Sequence, residues 1–161
     1  MLVMTSGGLG LSKFAPGTFG TLGGVALAML LEYIPGVPAW LPAALAAFVC
    51  CGIGIALGSW AERYFGAKDP GAVVLDEVAG YLVTVAIFSA VTGRAPTFSG
   101  HVVAFVLFRI ADISKIWPGR RVEELPRGWG VMLDDVVLAV YSGAVFAILG
   151  LQGESWGLPP L

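Results

Sequence analysis

Charge is the scarcest ingredient of this chain. Only 12% of its 161 residues are Asp, Glu, Lys or Arg, about half of the ~25% usual in a soluble domain. The hydrophobic fraction is 57% and the mean hydropathy is +0.86. A water-soluble globule fits these values badly. Nine Lys and Arg against eleven Asp and Glu give a net charge of −2. No basic run exists, which excludes the cationic face that a nucleic-acid partner needs. Histidine is limited to His101, and Cys50 and Cys51 are adjacent within an apolar run. Neither a disulfide framework nor a zinc site can be built from that set. Any metal here must be a hard one held by oxygen. The N-terminus also lacks a basic segment, and Ser6-Gly7-Gly8-Leu9-Gly10 interrupts its apolar character, so it does not read as a signal peptide.

What the chain has is long apolar segments. A spanning helix needs about 20 mostly apolar residues, and five segments approach this: Phe19–Ile34, Ala39–Trp60, about Leu75–Val91, Gly100–Trp117 and Val131–Leu151. Pro and Gly bound each of them. The apolar runs are continuous rather than alternating, which disfavours a β-barrel. The expected fold is all-α: one polytopic membrane bundle of about five helices over residues 1–161. It leaves room for a re-entrant or interfacial N-terminal segment. Gly20 and Gly24, Gly54 and Gly58, and Ala139 and Gly143 have the spacing of close helix packing in lipid. Lys13, Arg63, Lys68, Arg120, Arg121 and Arg127 all fall on the N-terminal side of the membrane, and only Arg94 falls opposite. The positive-inside rule makes that side cytoplasmic. Nothing in the sequence sets an oligomeric state.

Ionisable residues inside such segments cost roughly 2.5–3.5 kcal/mol each at a helix centre. Three clusters accept this cost. Asp76 and Glu77 open the third segment, Arg109, Asp112 and Lys115 lie in the fourth, and Asp134 and Asp135 open the fifth. The topology brings all three to one membrane surface. First-turn acids do favour a helix N-terminus by about 0.3–1 kcal/mol, but a doublet exceeds what a cap requires. Asp112 lies near a helix C-terminus, where the dipole opposes it. Its i, i+3, i+6 spacing with Arg109 and Lys115 lets it pair with either.

Several carboxylates without histidine suit Mg²⁺. Arg109 and Lys115 suit a phosphate. Together, at a membrane surface, they point to a phosphorylated lipid headgroup. Phosphate monoesters hydrolyse extremely slowly unaided, and a divalent ion supplies charge stabilisation and an activated water. Other phosphatase designs fail on residue count. Cys50 and Cys51 are not followed by an arginine six residues on, and Asp-x-Asp is absent. Ser99-Gly100-His101 partly matches a histidine-nucleophile element, but that design needs a second histidine. His101 falls about 16 Å along the helix from Asp112 and reads as an interfacial polar residue.

At these residues the chain resembles the phosphatidylglycerophosphatase A family. Four stretches carry the resemblance, which covers roughly Gly8 to Ser142. They are Gly10-Leu11-Ser12 with Pro16-Gly17-Thr18-Phe19-Gly20-Thr21, then Asp76-Glu77-Val78-Ala79-Gly80, then Phe108 to Pro118, then Gly128 to Asp135. The resemblance implies a Mg²⁺-dependent bacterial enzyme of the inner membrane, with its site facing the cytoplasm. It implies phosphatidylglycerophosphate as the phospholipid substrate, cleaved to phosphatidylglycerol and phosphate. The family's acids match Asp76, Glu77, Asp112, Asp134 and Asp135, and its basic pair matches Arg109 and Lys115.

The combined expectation assigns Mg²⁺ to some of Asp76, Glu77, Asp134 and Asp135. Asp112 is a further ligand or the base for the attacking water. Arg109 and Lys115 hold the phosphate. Thr18, at the start of the first segment, adds a hydroxyl beside helix N-terminal amides. Glu123 and Glu124 match no motif. Other classes stay open: a small ion or proton transporter, an assembly subunit with buried ion pairs, a headgroup transferase, or a phosphatase of broader lipid specificity.

Overall fold

The computed structural model describes residues 1–68, 70–126, 128–155 and 160–161. Arg127, one of the orienting cations, lies outside the described residues. Among the described residues a 3-10 segment, Ser6–Leu11, is followed by six α-helices: α1 Pro16–Leu31, α2 Trp40–Phe65, α3 Leu75–Thr92, α4 Phe98–Ser114, α5 Gly119–Glu123 and α6 Gly128–Ser155. No strand occurs among the described residues, so the fold is all-α as expected.

The helix boundaries follow local chemistry. Pro16 at the first helical position starts α1, where a missing N–H costs nothing. The α2 helix outruns its apolar stretch through Glu62 and Arg63 and stops at Gly66, which adopts φ 72° and returns its N–H to Glu62. Gly93 ends α3 in the same left-handed conformation. Thr97 caps α4 by accepting the Gly100 N–H at 3.2 Å, and Lys115 closes that helix at φ 42°.

Three helices, α2, α3 and α6, are long and apolar enough to cross a membrane. The expected first and fourth spans are shorter. With 16 and 17 residues, α1 and α4 stand at the short end of the ~17–25 residues that span a bilayer.

The α3 helix is the axis of the bundle. It packs most extensively on α6 and α2, and also on α1 and α4, and Tyr81, Leu82, Thr84 and Phe88 on it are fully buried. The Phe88 and Phe146 rings stack with centroids 4.0 Å apart. The small residues act where their spacing placed them. A Cβ on Gly24 would lie 3.0 Å from that of Tyr81, and one on Gly143 would lie 2.9 Å from that of Ile87. Outward, Leu45, Phe48, Val49, Ile148 and Leu151 are exposed, as a lipid-facing surface requires.

His101 differs from the expectation of an interfacial residue. It is 2% exposed, its Nδ1 is 2.8 Å from the Tyr81 hydroxyl, and its Nε2 is 3.0 Å from Glu32 Oε1. Neither of those two atoms has a hydrogen-bond partner. The reason is tertiary: α4 turns His101 inward onto α3 and the end of α1.

Candidate functional site

The starts of α1, α3 and α6 and the end of α4 meet at one end of the bundle, and the three acid and base clusters marked in the sequence lie there. Asp76 and Glu77 occupy the first turn of α3. Asp134 and Asp135 do not open their helix as expected. The α6 helix begins at Gly128, so both lie in its second turn, beyond the reach of a simple first-turn dipole effect. The two doublets share a local geometry. Asp76 Oδ1 accepts the Glu77 N–H at 3.1 Å, and Asp134 Oδ1 accepts the Asp135 N–H at 2.9 Å.

Two ion pairs flank the site. Arg109 Nη1 donates to Asp112 Oδ2 at 2.6 Å, which settles which cation Asp112 takes. Lys115 Nζ donates instead to Asp134 Oδ2 at 3.1 Å and lies 3.0 Å from Glu123 Oε1. Two carboxylates on one ammonium keep it charged. Glu123, on α5, is therefore a member of the site that the sequence did not mark. Its only signal was an acid in the loop between the fourth and fifth spans.

Between the pairs lie Asp76, Glu77 and Asp135, each offering an oxygen within 4.8 Å of the others. Asp112, Glu77 and Asp134 all act electrostatically on Asp135, which is 3% exposed. Crowded buried carboxylates need protons or a cation. Glu77 Oε2 is buried with no hydrogen-bond partner, as expected for an atom awaiting a metal. The donor set is all oxygen, which fits a hard divalent ion.

The α1 helix closes the site from above. A Cβ on Gly17 would collide with Glu77 Oε1 and lie 3.0 Å from Arg109 Nη1, so the glycine lets these two side-chain ends stay against the helix start. The buried Thr21 donates to the Gly17 carbonyl at 2.9 Å and accepts from Arg109 at 3.5 Å. Thr18 is half-buried nearby. Its N–H is taken by the Ala15 carbonyl at 2.9 Å, as is that of Phe19 at 3.4 Å. Two of the helix-terminal N–H groups around Thr18 are thus already bonded within the turn. Sequence reasoning missed Gly17 and Thr21 as individual members, because their roles depend on what α3 and α4 place opposite them.

Fold and site together define a helical membrane protein with a carboxylate-rich centre, flanked by cations, suited to reaction at a phosphate. The family model for phosphatidylglycerophosphatase A matches residues 2–150. A Haemophilus influenzae protein named phosphatidylglycerophosphatase A is 34% identical over 146 residues, covering 90% of this chain and 83% of that protein. An Escherichia coli protein of the same name is 32% identical, covering 89% of this chain and 78% of its own length. A Bacteroides thetaiotaomicron protein, provisionally named as a phosphatidylinositol-3-phosphatase, is 37% identical over 157 residues, covering 92% of this chain and 91% of its own. No solved structure matches the chain significantly. The chain belongs to the phosphatidylglycerophosphatase A family. It is a phosphatase, and its apolar helices and bacterial relatives place it among bacterial membrane proteins.

Proposed function

We propose that residues 1–161 form a single membrane-embedded domain that hydrolyses the terminal monoester of phosphatidylglycerophosphate with the help of Mg²⁺. The observation that carries this reading is the convergence of Asp76, Glu77 and Asp135 within 4.8 Å, flanked by the Arg109–Asp112 and Lys115–Asp134 pairs. The names of the Haemophilus and Escherichia relatives supply the substrate. The cation asymmetry supports a cytoplasmic site in the bacterial inner membrane. Lys13, Arg63, Lys68, Arg120 and Arg121 belong to the acidic end, and Arg94 to the other.

In this account Asp76, Glu77 and Asp135 hold the ion. Asp134 stands at their edge, its oxygens engaged by Lys115 and the Asp135 N–H. When bound, Mg²⁺ supplies Lewis-acid polarisation of a phosphoryl oxygen. Lys115 and Arg109 bind the phosphate and offset the charge that builds up during transfer. The Thr18 hydroxyl is a further donor. Asp112, oriented by Arg109 at 2.6 Å, takes the proton of the attacking water. The new P–O bond forms to that water, the ester P–O bond breaks, and the glycerol oxygen leaves with the proton that Asp112 accepted, which restores the carboxylate.

A broader specificity for lipid phosphomonoesters is the second reading, favoured by the name of the Bacteroides relative. Both readings are separated by inorganic phosphate release in detergent micelles, with phosphatidylglycerophosphate beside phosphatidic acid. Release selective for the first lipid, with phosphatidylglycerol formed in equal amount, is the expected result. Equal release from both supports the broader reading, and none from either defeats the proposal.

A further inference from the structure

An apolar trough lies between α2, α3 and α6, with a volume of about 430 Å³. Its α3 lining includes Val83, Ile87 and Ala90. With Asp76 these stand at i, i+7, i+11 and i+14, so the trough and Asp76 share one continuous face of α3, with the buried Ala79 and Gly80 between them. Its near end is marked by Val136, next to Asp135, and by Cys51. From Cys51 to Trp40, the far end on α2, is eleven residues, or about 16 Å. Ala44, Ala47, Ala86 and Ala90 leave it open, and Phe48 stands 77% exposed beside it.

Two other apolar hollows fit less well. The one between α1 and α2 contains no residue adjacent to a site acid or base. The one between α4 and α6 borders Asp112 and Lys115 through Ala111 and Ser114, but holds about 180 Å³.

From this continuity we infer that the trough seats an acyl chain of the lipid whose phosphate is at the acids. The inference rests on the proposed lipid phosphatase activity. Lipid tails are as apolar as the trough, so it gains no hydrophobic drive from seating one. It aligns the lipid, and its influence is steric.

The test uses the full-length protein in mixed micelles. The substrates are dipalmitoyl and dihexanoyl phosphatidylglycerophosphate. Ala44→Phe and Ala90→Phe obstruct the trough from half-buried and exposed positions, so folding is spared in at least one. The expected result is a fall of five-fold or more in the long-chain to short-chain ratio of kcat/KM. Ala46→Phe, in the α1–α2 hollow, leaves that ratio unchanged. An unchanged ratio in both trough variants overturns the inference, as does the same change in Ala46→Phe. A change in oligomeric mass with equal loss on both lipids assigns the trough to a helix of a second copy and also overturns it. Wild-type protein inactive on both chain lengths is a failure of the activity itself, recognisable as such.

Discussion

Gly17→Ala separates activity from stability. Gly17 lies in the first turn of α1 with ordinary helical backbone. An alanine there improves helix propensity by roughly 0.5–1 kcal/mol. Its methyl, however, would collide with Glu77 Oε1 and sit 3.0 and 3.3 Å from the two terminal nitrogens of Arg109. The Glu77 carboxylate must retreat by about 1 Å, and a misplacement of that size at a reacting centre costs about 100-fold in rate, equivalent to about 2.7 kcal/mol. The assay is phosphate release from phosphatidylglycerophosphate in micelles with saturating Mg²⁺, paired with thermal unfolding of the same preparations. The expected outcome is a kcat/KM about 100-fold lower with an unfolding midpoint equal to or above wild type. Activity within two-fold of wild type would refute the placement of Glu77 and Arg109 in the reaction.

Asp112→Asn and Lys115→Ala are each expected to lower kcat by at least 100-fold in protein that still elutes as folded. His101→Ala should lower the unfolding midpoint, because it removes the 2.8 Å imidazole partner of the Tyr81 hydroxyl and leaves it only the longer 3.3 Å bond to the carbonyl of residue 101, a loss of about 1 kcal/mol. Turnover measured below that midpoint should stay within three-fold of wild type, and its loss would revive a histidine nucleophile. Removal of divalent ions with EDTA should abolish phosphate release, and added Mg²⁺ should restore it. Full activity in EDTA would contradict a metal at the acids.

The convergence of the site was legible in the sequence because topology alone decides it. Asp76, Asp112 and Asp135 sit at the start, the end and the start of successive membrane segments, so they must share one end. Pairing was not legible. Asp112 could take Arg109 or Lys115 at nearly equal helical spacing, and only the close of α4 at Lys115, in the left-handed conformation, sends that side chain to Asp134 and Glu123 instead. The α6 start was misplaced toward Val131 because hydropathy marks where a helix becomes apolar, while α6 begins three residues earlier at Gly128. Gly128 packs there on the Gly54 and Ile55 backbone, a contact no local pattern announces. The burial of His101 was hidden for the same reason: its partners Tyr81 and Glu32 lie 20 or more positions away in sequence.

The central claim is that Asp76, Glu77 and Asp135 hold the divalent ion on which hydrolysis depends. The most direct test is the Mg²⁺ dependence of phosphate release by wild type and Asp135→Asn, with Mg²⁺ binding to each measured by calorimetry. The account predicts saturable binding and Mg²⁺-dependent turnover in wild type, and the loss of both in the folded variant. Asp135→Asn that binds Mg²⁺ and turns over like wild type would contradict it.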